Sequence, residues 1–172
     1  GHELRTFLSQ ALGAEVLLCD SPTPGTLAIV LGRNRHADEA GIAVDDLPRD
    51  AFVIRAAGDR IFIAGRDCMK TDPAKNMRTR SVWAQFYERG TLFGVYDFLE
   101  RFVGVRFYFP GDIGTVVPGH EVLHLPADLA IVEEPDKMVR SIPIYGNRGT
   151  RYPANWFDKE HEIEAQNLNY AR

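Results

Sequence analysis

Two histidines stand four residues apart at His120 and His124, and a third, His161, is followed directly by Glu162. The zinc motif HExxH needs its second imidazole one helical turn after the first, with the Glu as base between them. Ala165 occupies that place, so His161-Glu162 reads as a solvated charge pair on a helix. His120 and His124 sit at strand spacing, which would put both on one sheet face. A half-exposed strand face accounts for them without a metal.

Gly65-Arg66-Asp67-Cys68-Met69-Lys70-Thr71 has a phosphate-loop flavour, but Met69 stands where the second glycine must be. Its backbone amides cannot wrap a phosphate as that motif requires. Leu31-Gly32-Arg33-Asn34 has too few glycines for a dinucleotide fingerprint. Nucleophile signatures are missing around Ser81, Ser141 and Cys68. Glycoside cleavage calls for two carboxylates facing each other across the bond. Glu88, Asp97, Glu100, Asp112, Glu133 and Glu134 are available by count, yet none has a context that implies a shared cleft. No catalytic pair, metal site or cofactor site is therefore expected.

Aromatic residues are the remaining chemistry. Trp83, Phe86 and Tyr87 precede the longest apolar helix, while Tyr145, Tyr152 and Trp156 lie near the C-terminal end. Exposed rings of this kind stack on sugars or form the core of a protein contact, where Trp, Tyr and Arg are enriched. Contact with another domain is the preferred reading, and sugar binding is the alternative. The residues expected to make it are Trp83, Tyr87, Arg89, Tyr108, Arg140, Tyr145 and Trp156.

The elements that would position these groups are readable. Arg89 to Pro118 predicts one helix, one sharp exit and one strand. Thr91 is a candidate N-cap, and apolar residues from Leu92 to Val103 cover most of the helix surface, leaving Asp97, Glu100 and Arg101 as a polar stripe. Gly94 in mid-helix implies that another element passes close by. Gly104 would close the helix in the left-handed conformation before a strand from Val105 to Phe109. Elsewhere, Glu3 to Ala14 has helical spacing, and Leu27 to Leu31 reads as a strand. Phe52 to Ala56 and Ile61 to Ala64 read as a hairpin around Gly58-Asp59. Short strands are also expected at Val16 to Cys19 and Glu121 to Leu125. Gly32 opens polar loop or a short helix. The sum is an α+β fold: a mixed sheet of about five strands with the two main helices on one face.

The set Arg89-Gly90, Leu92, Gly94-Val95-Tyr96, Phe98-Leu99-Glu100, Gly104-Val105-Arg106-Phe107-Tyr108, Pro110-Gly111, Gly114 and Pro118 resembles a known domain. It is similar to the N-terminal accessory domain preceding the catalytic barrel in bacterial α-glucuronidases, β-N-acetylhexosaminidases and related glycoside hydrolases. The resemblance covers roughly residues 3 to 140. It implies a non-catalytic α+β domain over residues 1–139, and residues 140–172 as the entry to a barrel, beginning with Arg140-Ser141-Ile142-Pro143. The family's catalytic acids would lie on barrel strands beyond residue 172. The expected partner is that downstream barrel, with an oligosaccharide as a second candidate and a periplasmic or secreted setting.

Composition agrees with a globular chain. Its 172 residues are 45% hydrophobic and 26% charged, enough for a real core. A net charge of −4 argues against nucleic acid as a partner. No apolar run is long enough to span a bilayer. No signal peptide is visible, and the chain is helical at once from Gly1-His2, as though upstream sequence had been removed. Cys19 and Cys68 stand outside any metal-binding spacing and read as buried thiols, with a disulfide as the alternative.

Overall fold

A computed structural model describes residues 1–68, 70, 87–108 and 111–136. The chain divides into two compact units. The first comprises Gly1–Thr71, Tyr87–Val105 and Val117–Asp136, and the second contains Arg106–Val116.

The first unit is built on a four-stranded sheet. Its strands are β1 (Ala28–Leu31), β2 (Phe52–Ala57), β3 (Arg60–Gly65) and a strand near the end of the unit, Ala130–Glu133, in the order β1-β3-β2-(Ala130–Glu133). β2 and β3 form the expected hairpin, pairing Ala57 with Arg60. Gly58 takes the first turn position with φ of 63°, which the favoured two-residue hairpin turns require. β1 lies parallel to β3, and Ala130–Glu133 runs antiparallel to β2, so the sheet is mixed as expected. It has four strands, one fewer than predicted. β3 is flanked on both sides, and Ile61 through Gly65 are all buried, the burial expected of a strand covered on both faces.

Cross-strand partners share a face, so Phe52, Ile54, Ile61 and Ile63 line one side and Val30, Val53, Phe62 and Ala64 the other. The main helix, α3 (Gly90–Phe98), packs on the first side; Phe93, Val95, Tyr96 and Phe98 are buried. A Cβ at Gly94 would lie 2.8 Å from Ile63 Cγ2 and 3.1 Å from the Phe52 ring, which is the close approach its position implied. The opposite face is covered as well, by residues with no regular apolar period. A short helix, α2 (Arg35–Glu39), capped by Asn34, carries Ala37 onto it. Ile42, Val44 and Leu47 complete that layer over Val30, Phe62 and Ala64.

The expected continuous helix to Val103 changes pitch. From Leu99 to Val103 it widens into a single π-turn, closed by Gly104 at φ 77°. Leu99 and Val103 are both in the core, at 0% and 1% exposure, while Arg101 stays outside. α1 (His2–Leu12), ended by Gly13 at φ 60°, packs against this π-turn through a face that buries Leu4, Leu8 and Ala11.

Two predicted strands do not form. Residues 16–19 are without sheet pairing, with Leu17 and Leu18 exposed, and Cys19 is exposed rather than buried. Residues 121–125 are likewise unpaired, because the slot beside β2 is filled by Ala130–Glu133. His120 and His124 therefore share no strand face. His120 instead fastens α1 to the π-turn: its backbone N–H donates to Ala11 O at 2.7 Å, and its Nε2 lies 2.7 Å from Val103 O.

In the second unit the described residues form a small antiparallel pair, β4 (Arg106–Phe107) with β5 (Thr115–Val116). Of the predicted strand from Val105 to Phe109, the described pairing covers Arg106–Phe107, and Phe109 lies outside the described residues. Tyr108 N–H donates to Gly114 O at 2.8 Å as a 3₁₀ turn at Asp112–Gly114 brings the chain back. Numbered in chain order, Ala130–Glu133 is β6.

Candidate functional site

The densest polar arrangement among the described residues joins the end of β3 to the start of α3. Residues 66–68 and 88–90 run antiparallel: Cys68 N–H donates to Glu88 O at 2.8 Å and Gly90 N–H to Arg66 O at 2.9 Å, with Asp67 facing Arg89. Two glycines make this junction. A Cβ at Gly65 would meet Ala51 O at 2.5 Å and Gly90 Cα at 2.7 Å, and one at Gly90 would meet Ala51 O at 2.4 Å. Only hydrogen fits at either position.

Asp67 caps the helix from outside it. Its Oδ1 accepts the Thr91 N–H at 3.1 Å. Thr91, predicted to be the N-cap, lies instead inside the first turn, and Arg89 is the residue at the cap. The Thr91 hydroxyl accepts the Gly65 N–H at 3.0 Å. Its own proton has the Gly65 carbonyl oxygen at 3.5 Å and the Asp67 carboxylate as acceptors, so the side chain stitches strand to helix. Gly32, at the end of β1 with φ 70°, leaves room beside Asp67 and Thr91. Burial pushes the Asp67 carboxyl above the ordinary aspartate range; the bonds from Thr91 pull it back, and nearby Glu88 adds to the rise.

Arg66 is consumed structurally. One guanidinium nitrogen donates to Leu47 O at 3.0 Å and the other pairs with Glu88. Arg89 is placed differently. Its guanidinium carbon lies 5.2 Å from the Tyr87 ring centroid and 5.3 Å from that of Phe93, within cation–π reach of both. The fold thus brings together Tyr87 and Arg89, two of the seven predicted contact residues. Tyr108 lies on the second unit's hairpin and is 65% exposed. Trp83, Arg140, Tyr145 and Trp156 fall outside the described residues, as do His161-Glu162 and the predicted barrel entry.

No opposed acid pair emerges among the carboxylates described. Asp97 and Glu133 both approach Arg101 Nη2, each at 2.9 Å, so the guanidinium fills the space between them. Glu88 is paired with Arg66, and Asp112 and Glu134 are exposed. A shallow depression of about 450 Å³ beside the end of α1 is lined by Arg5, Thr6, Ser9, Gly13, Ala14, Glu15 and Val16. It contains a single carboxylate. Among the described residues, no group of three or more His, Cys, Asp or Glu could hold a metal ion. Nor is any helix among them long and apolar enough to cross a membrane.

The roles of Asp67 and Gly32 escaped the reading of the sequence. Both lie in strings whose local pattern resembles phosphate or dinucleotide loops, and what marks them is their spatial approach to Thr91. Comparison with family models, with curated proteins and with solved structures finds no match to this chain.

Proposed function

We propose that this chain is a non-catalytic accessory domain of a bacterial glycoside hydrolase of the α-glucuronidase and β-N-acetylhexosaminidase kind. Its role is to brace a catalytic barrel that follows in the same polypeptide and to shape the rim of the sugar cleft. The observation that carries the reading is the hairpin after α3. Tyr108, Ile113 and Val116 are 65%, 90% and 49% exposed on an element of only two paired residues per strand. A hairpin that small is marginal alone, and clustered exposed apolar side chains mark a surface that another body covers. Two further features support the reading. Of the acids named from the sequence, Glu88, Asp97 and Glu133 are occupied by ion pairs and Asp112 and Glu134 lie open on the surface, while the partly buried Asp67 is taken up in capping α3. The glycines at 90, 94 and 104, which carry the family resemblance, each serve packing or chain reversal.

The test starts from the reading frame after Arg172. The longer polypeptide and the 172-residue chain are each made with Tyr108→Ser, Ile113→Ser and Val116→Ser combined, and urea unfolding is measured. The substitutions are expected to destabilise the longer protein by about 2 kcal/mol or more, and the shorter chain far less. A frame that encodes no barrel, equal effects in both proteins, or glycoside hydrolysis by the 172-residue chain would overturn the reading.

A further inference from the structure

The Tyr87–Arg89–Phe93 cluster has a property that bracing a barrel does not require. Arg33, Arg35, Arg60, Arg66 and Arg101 each sit beside a carboxylate. Arg89 does not: among the described residues no acid pairs with its guanidinium and no acceptor takes its N–H groups. The two acids nearest in the ribbon are turned elsewhere, Asp67 to the Thr91 amide and Glu88 to Arg66. Aromatic rings hold the guanidinium instead, at 5.2 and 5.3 Å. Such contacts restrain the plane of the group while leaving its donor edge unpaired. The backbone beneath is fixed by the rungs at Cys68–Glu88 and Gly90–Arg66. Arg89 is half-buried, so some of the desolvation and ordering that binding demands is already met. The Tyr87 hydroxyl, also without a hydrogen-bond partner among the described residues, adds a donor and acceptor on one of the same rings.

The geometry points to a binding site for a small hydroxylated carboxylate of the sugar-acid type. The guanidinium of Arg89 takes the carboxylate through paired N–H···O bonds, and the Tyr87 hydroxyl bonds a neighbouring hydroxyl. This site belongs to the chain itself and goes beyond the accessory-domain reading; its failure would leave that reading standing.

Calorimetric titration of the 172-residue protein with gluconate, with sorbitol and with acetate tests the site. Sorbitol replaces the carboxylate by a neutral alcohol, and acetate lacks the hydroxyls. Gluconate is expected to bind saturably, and each of the other two about tenfold more weakly or less. Arg89→Gln should abolish the gluconate signal. Arg89→Lys, which keeps the charge but loses the planar fork, should weaken it about tenfold with an unchanged melting curve. Tyr87→Phe should reduce the preference for gluconate over acetate. If Arg89→Gln does not fold, Arg89→Lys decides alone. Equal binding of gluconate and sorbitol, no saturable gluconate binding, or wild-type affinity in Arg89→Lys would overturn the site. Acetate binding as tightly as gluconate would overturn its selectivity for hydroxylated acids.

Discussion

Asp67 does two jobs that conflict. Its carboxylate must accept a backbone N–H at the start of α3, and it must do so where burial disfavours its charge. Because the folded chain binds this proton more tightly than the unfolded one, the group's stabilising contribution is fully present below the ordinary aspartate value of about 4. It is lost as pH rises through the higher folded value. Asp67→Asn keeps an oxygen for the Thr91 N–H and removes the titration. Urea midpoints for both proteins from about pH 3.5 to about pH 8 should show wild type losing ground to the variant as pH rises, then running level with it. A gap that stays constant or moves the other way would remove Asp67 from this role. Thr91 looked like the cap because caps are usually local. The true acceptor is 24 residues away in sequence, a distance that no local pattern reports.

At the scale of elements, β3 and α3 meet at two glycines whose missing Cβ atoms are a condition of the fold. Gly65→Ala and Gly90→Ala force backbone apart from backbone, and each is expected to cost about 3 kcal/mol in chemical denaturation. Gly119→Ala, where nothing lies within 4 Å, should change stability by less than about 0.5 kcal/mol. Equal effects at all three would mean the contacts relax freely. The hairpin of β2 and β3 and the burial of α3 were legible because they follow from Gly58 and from unbroken apolar periodicity. The choice between strands at 121–125 and 130–133 was not. Both are short apolar runs, and β2 offers only one outer edge, so register against Ile54 and Val53 decides. The π-turn was illegible for a related reason: Leu92 to Val103 is apolar on so many sides that the sequence does not specify its pitch.

Across the first unit as a whole, the described core has two layers of unequal legibility. The α3 face could be read from one amphipathic-to-apolar helix. The opposite face comes from α2 and from Ile42, Val44 and Leu47, whose spacing follows neither the helical nor the strand period. Protection against amide exchange should follow this layering. Ile61 to Ala64, bonded on both sides and buried, are expected to exchange most slowly, and residues 14–27 among the fastest. Slower exchange in β1 or β6 than in β3 would show that the sheet is stabilised from its edges. The α+β class and the mixed sheet stood on hairpin and helix signals that survive any change of partner. The seven contact residues depended on what covers them, which a single chain does not encode.

The ribbon at Cys68 and Glu88 has a consequence for how this protein can vary. Cys68 and Glu88 are far apart in the sequence yet share one hydrogen-bonded rung, so the two ends of the connecting circuit are fixed at a single point. Lengthening such a circuit twofold adds only about 0.6 kcal/mol of closure entropy. An insertion between Cys68 and Glu88 is therefore expected to cost the folded chain little stability, which urea unfolding of a lengthened variant checks.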